Sequence, residues 1–145
     1  NVSPKFLIQA FKDPDGANLD RVQIVKAWLS GKGESQEQVF DVALSDGRTV
    51  DADTGKAPSV ASTVDVSQAS YTNSVGEVSF SVFWEDPDFN SKQSAFYYAR
   101  VIEIPTPRWT TYDAKYFEVD PPENTPMVTQ ERVYSSPIWY DPTKK

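Results

Sequence analysis

The chain has 145 residues, a net charge of −7, and neither histidine nor cysteine. Those absences exclude His-based acid–base chemistry, thiolate nucleophiles, disulfides and His or Cys metal sites. The negative charge disfavours phosphate backbones and anionic lipid as partners, and 39% hydrophobic and 13% aromatic residues exclude disorder.

The length fits one domain over residues 1–145. A domain of this size buries roughly 70% of its unfolded surface and needs no staples. No apolar run reaches the roughly 18 residues that a membrane helix needs. Met127 is the only methionine, and the Asn1-Val2-Ser3-Pro4 start reads as a processed or excised piece.

Proline and glycine punctuate short apolar runs, which favours strands. Lys5 to Lys12 is the first, followed by an Asp-Pro-Asp-Gly turn. Leu19 to Ser30 is the longest. It sets Val22, Ile24 and Trp28 on one face and Val25, Ala27 and Leu29 on the other, so cover on both sides is expected. Glu37 to Ser45, with Phe40, Val42 and Leu44 at period two, completes a hairpin with it. Val50 to Ala61 reads as an exposed loop, and Thr63 to Val66 as a short edge strand.

Glu77 to Glu85 has the clearest alternation, with Val78, Phe80, Val82 and Trp84 facing one way. Ala95 to Ile104 follows, and Pro105 and Pro107 stop it because neither has an N–H. Thr110 with Asp113 resembles a capping box for one short helix running to about Val119, before Pro121-Pro122. Thr129 to Tyr134 is the last clear strand, and Ser135 to Tyr140 continues it at an edge. Six to eight such strands predict an all-β, antiparallel two-sheet β-sandwich with one short helix. Its expected core includes Trp28, Phe40, Phe80, Val82, Trp84 and Ile102.

Four groups of residues stand out chemically. Asp13, Asp15, Asn18 and Asp20 offer oxygens at near-alternate positions around Gly16, as a calcium loop does. An ordinary turn explains the same string, and the glutamate that closes an EF-hand loop is absent. Glu85, Asp86 and Asp88 form an acidic group at a strand end, without an obvious nucleophile or oxyanion donor beside it. Trp28, Trp84, Trp109 and Trp139, with seven tyrosines, suggest sugar stacking. Trp28 and Trp84 fall on apolar strand faces, where core packing is the simpler role. Finally, Glu103 to Asp113 carries two prolines that stiffen the backbone around Arg108 and Trp109. Arginine and tryptophan are enriched in binding hot spots.

The run from Phe96 to Ala114, with Pro105-Thr106-Pro107-Arg108-Trp109 at its centre, resembles the C-terminal region of the bacterial domain-of-unknown-function 3604 family. Leu19 to Lys26 and Ser135 to Tyr140 resemble further family signatures, so the likeness spans most of the chain. Members of that family are long, often exported proteins. Their main part looks like a metal-dependent phosphoesterase of the polymerase and histidinol phosphatase type, with His and Asp as ligands. None of those His motifs stands in this chain, so no ligand is carried over to any residue here. The resemblance implies a C-terminal accessory portion without cofactor, periplasmic or extracellular, packed on an N-terminal domain of the same protein. Arg100, Arg108, Trp109 and Tyr112 are the residues expected at that interface or bordering its cleft. Arg108 is suited to a bidentate bond to carboxylate or phosphate. A surface module for carbohydrate or calcium is the alternative. An enzyme using carboxylates alone is the third reading.

Overall fold

Residues 3–143 are described by the computed structural model. The strands are β1 (Lys5–Phe11), β2 (Leu19–Leu29), β3 (Ser35–Leu44), β4 (Ser79–Glu85), β5 (Ala95–Glu103), β6 (Thr106–Pro107), β7 (Val128–Thr129), β8 (Arg132–Tyr134) and β9 (Ile138–Tyr140). One helix, α1 (Trp109–Phe117), lies between β6 and β7. The larger sheet has five strands in the order β3-β2-β5-β8, with β9 also on β5. β1 and β4 form a second, two-stranded sheet, and β6 pairs with β7. Every pairing of named strands is antiparallel.

The two main sheets close largely on the faces that the alternation assigns to the core, but Val78 lies before β4 and is exposed, and the β2–β3 register shift places Ala43 rather than Leu44 beside Val22. Leu19, Val22 and Phe80 are buried together, with Ile8, Ala10, Val42 and Val101 packed around them. Ile24, Ala95 and Tyr97 form the neighbouring cluster, flanked by Phe6, Trp28, Trp84 and Tyr140. Phe40 and Trp84 rings meet at 5.0 Å. Burial of apolar area on these faces, at about 25 cal/mol per Å², is the main stabilising term. A register shift between Val22 and Gln23 marks a bulge in the β2–β3 pairing.

Several expectations change. Ile102 does not join the core. It pairs with Arg21 and Arg132, on the strand face opposite Val101, and is only half-buried. Thr63–Val66 is no strand. Only an isolated bridge from Asp65 to Ser70 forms there. Val60 is buried with Ala17 and Ile104, so the loop around it is pinned at that point rather than wholly exposed. The capping box is not made either: Arg108 is the N-cap and no side chain caps the helix. Thr110 Oγ1 instead donates to the Pro126 carbonyl at 2.6 Å. The final strand is split into β7 and β8, and β9 pairs separately with Ala95–Tyr97. The outer side of β2 is not fully covered, since Leu29 and the neighbouring Val39 and Trp139 remain exposed.

Candidate functional site

α1 hangs on the end of the sandwich by few bonds. Pro105 and Pro107 set an extended entry, and Arg108 begins the helix in extended backbone with φ −75° and ψ 161°. Arg108 N donates to Met127 O at 2.9 Å, and the hydroxyl of Thr111 donates to the same carbonyl. Lys115 Nζ reaches Gln68 O at 2.7 Å. Glu118, at φ 52°, ends the helix in the left-handed region, and Val119 N closes back on Ala114 O.

Thr111 is the only buried residue of the helix. Trp109 is 64% exposed and Tyr116 81%, and Tyr112, Phe117 and Val119 also face solvent. The Arg108 guanidinium lies 6.0 Å from the Trp109 ring centre, at the outer reach of a cation–π contact. A cavity of about 370 Å³ opens between Trp109, Ala114, Val119 and Pro121. Arg108, Trp109 and Tyr112 thus share one end of α1. This is an apolar surface on a proline-stiffened entry, with the Arg108 guanidinium beside it.

Arg100 belongs elsewhere. On the outer face of the five-stranded sheet, its Nε donates to Gln23 Oε1 at 2.7 Å, and Gln23 Nε2 donates to Asp41 Oδ1 at 2.7 Å. Arg21 links Asp41 to Asp20, with Nη1–Oδ2 3.5 Å and Nε–Oδ2 3.0 Å respectively. Arg48 and Gln130 complete the shell around Asp20. The rings of Phe96, Tyr98, Tyr134 and Trp139 continue this face, with Phe96 and Trp139 centroids 4.8 Å apart and Tyr98 and Tyr134 6.1 Å apart.

The oxygens of the Asp13–Asp20 string are not gathered. Asp13 Oδ1 accepts from Asp15 N at 2.9 Å, an Asx turn. Asn18 turns its amide inward to the carbonyls of Asn73, Val75 and Gly76. Asp20 is buried against its arginines. Among the described residues, no group of three or more His, Cys, Asp or Glu is disposed to hold a metal ion.

The acidic group at the end of β4 separates in space. Glu85 pairs at the surface with Lys5 at 3.6 Å, whereas Asp86 is fully buried against Lys26, Nζ–Oδ2 2.6 Å. Tyr97 donates its hydroxyl to the same oxygen at 2.7 Å, and Asp88 N donates to Oδ1 at 2.9 Å. Lys26 also donates to Asp88 O at 2.8 Å and lies over the Trp28 ring at 5.3 Å. Burial, and secondarily the bond to Asp86, push the Tyr97 phenol well above its ordinary value. Residue-by-residue reading passes over Lys26. The available signal is a lysine at the inward position between Ile24 and Trp28. The closed network leaves the Lys26 amine engaged as a donor, so it clamps the loop after β4 to β2 and β5.

Among the described residues, no helix is long and apolar enough to cross a membrane. No curated protein and no solved structure matches the chain. A family model does match, over residues 1–142, under the description "Protein of unknown function (DUF3604)". With nearly the whole sandwich and its helix inside that match, the chain belongs to the DUF3604 family.

Proposed function

We propose that this chain is a non-catalytic β-sandwich module that packs, through α1 and its flanks, against a metal-dependent phosphoesterase-like domain of a larger, exported protein. The observation that carries this reading is the row of large apolar side chains that α1 leaves in water, Trp109, Tyr112, Tyr116, Phe117 and Val119. An apolar surface of this kind marks an interaction site on a soluble domain. Its rigid prolines reduce the entropy lost on docking, and Trp109 with Arg108 supplies an anchor and a charge. The closed polar networks around Asp20 and Asp86 serve the scaffold on this reading.

The test is the longer polypeptide carrying Trp109→Ala or Arg108→Ala. Docking, read as a single tumbling unit by small-angle scattering, is expected to fail while the sandwich keeps its β circular-dichroism spectrum. Wild-type docking in both variants refutes the reading. Chain 1–145 alone is expected to leave phosphomonoesters and phosphodiesters intact with Mn²⁺ or Zn²⁺ added. Carbohydrate binding is the second reading. It draws on the outward rings of Tyr134 and Trp139 beside Arg100, and glycan binding that Trp139→Ala abolishes would favour it.

A further inference from the structure

Among the described residues, the smaller sheet has two strands, each with one unpaired edge. β1 pairs with β4 along one edge only. Lys12 N donates to Val78 O and Asp86 N to Pro4 O, in register with the pairs from Lys5↔Glu85 to Phe11↔Ser79. Backbone groups of successive residues in an antiparallel strand alternate in direction. The even-numbered residues of β1 therefore bond β4, and the N–H and C=O groups of Lys5, Leu7, Gln9 and Phe11 face the free edge. No described residue takes them up.

A groove runs along that edge. One part, about 410 Å³, lies between Lys5–Gln9 and the residues Tyr97, Ala99 and Ile138. The next, about 320 Å³, continues from Gln9 to Asp13 against Val101, Glu103 and Val133. Its floor is built for a cover. β8 and β9 carry the larger sheet past β1, with Val133 opposite Val101 and Ile138 opposite Tyr97, on the inward face. Yet Val133 is 62% exposed and Ile138 57%. The groove follows seven residues of β1, a length of about 23 Å at strand rise. One added strand fills such a space and satisfies the free edge.

Charge selects the occupant. Glu103, Glu131 and Asp13 gather at one end of the groove, and burial first, then those two neighbours, hold the Glu103 carboxyl above its usual range against the opposing charge of Lys12. Lys12 gives its ammonium to the carbonyls of Asp13, Pro14 and Gly16, at 2.8, 3.1 and 2.8 Å. Arg132 turns to Gln130 O at 3.5 Å. Three carboxylates there face the two cations Lys12 and Arg132, which leaves that end with an excess of negative charge. A second copy paired antiparallel along β1 is disfavoured, because its own β8–β9 ribbon would come to the face that the first copy's ribbon already occupies.

We propose that β1 accepts an extended strand from the domain on which this module docks, its apolar side chains alternating toward Ala99, Val133 and Ile138 and a lysine or arginine over Glu103. The source of the strand rests on the docking reading above. Amide hydrogen exchange tests it, comparing chain 1–145 with the longer polypeptide. The Leu7, Gln9 and Phe11 amides are expected to exchange at least a hundredfold more slowly in the longer protein. Gln9→Pro, which spares the β4 ladder, should abolish that protection, whereas Gln9→Ala should keep it. Glu103→Lys, an independent variant with the sandwich intact, should also reduce it. A docked module whose three amides still exchange fast overturns the added strand and leaves docking standing. A module that tumbles independently, with the amides unprotected, refutes docking and the strand's source together. Protection in chain 1–145 alone that rises with concentration alongside a sedimenting dimer overturns the proposal in favour of a second copy.

Discussion

At Lys26 two opposing electrostatic effects meet. Its ammonium and the Asp86 carboxylate are both removed from water, at a desolvation cost of several kcal/mol per ion, and their 2.6 Å contact offsets this only while both are present. Lys26→Met is expected to cost about 3–5 kcal/mol, because it strands a buried carboxylate. The double variant Lys26→Met/Asp86→Leu should lose much less than the two single changes summed. Urea unfolding of the four proteins in a double-mutant cycle measures the coupling. Tyr97, on the same carboxylate, has a raised folded pKa against an ordinary value of 10.0. Above pH 10 the unfolded tyrosine ionises while the folded one keeps its proton. The folded state then binds more protons, and stability falls as pH rises. Unfolding midpoints should therefore drop from about pH 10 upward, and Tyr97→Phe should flatten that slope at the expense of about 1 kcal/mol at neutral pH.

At the level of elements, legibility followed length. Alternation needs several residues to declare itself, so β2 and β4 stand out in the sequence while two- and three-residue strands carry no period. β8 and β9 are separated by Ser135-Ser136-Pro137. There Ser135 bridges back to β5, its N–H to Ala99 O at 2.9 Å and its hydroxyl accepting from Ala99 N at 3.0 Å, a contact no local pattern announces. The proline-stiffened setting of Arg108 and Trp109 was legible in the sequence. The Lys26–Asp86 pair was not, because its partners are far apart in the chain and only the topology joins them. The free edge of β1 was equally hidden, since the number of strands in each sheet is a property of pairing. Gly76 belongs to the same class. Its φ is +80°, and an added Cβ would stand 2.6 Å from Ile104 Cγ2 and 2.8 Å from Asn18 Cβ. Its N–H meets both oxygens of Asp46 at 3.1 and 3.0 Å. Gly76→Ala combines backbone strain with overpacking, an expected loss on the order of 3 kcal/mol by urea unfolding.

For the molecule as a whole, the order of pairing matters more than any single contact. The first half of the sequence supplies β1, β2 and β3, and the second supplies β4, β5 and the short strands after it. Among the described residues β1 finds its partner only in β4, and β2 finds β5 as well as β3. Between the halves runs the segment 46–78, in which residues 51–56 are all exposed. Covalent continuity there holds neither main layer together, because each of the two main sheets is already shared by both halves. The chain should therefore behave as a split protein. Nicking after Lys56 with a lysine-specific protease should leave two pieces that co-elute on gel filtration. Residues 1–56 and 57–145, produced separately, should each lack a cooperative unfolding transition and regain one when mixed. Two pieces that fold independently would contradict it. The interleaved sheets would then be a ready-made reporter, assembling only where its two parts are brought together.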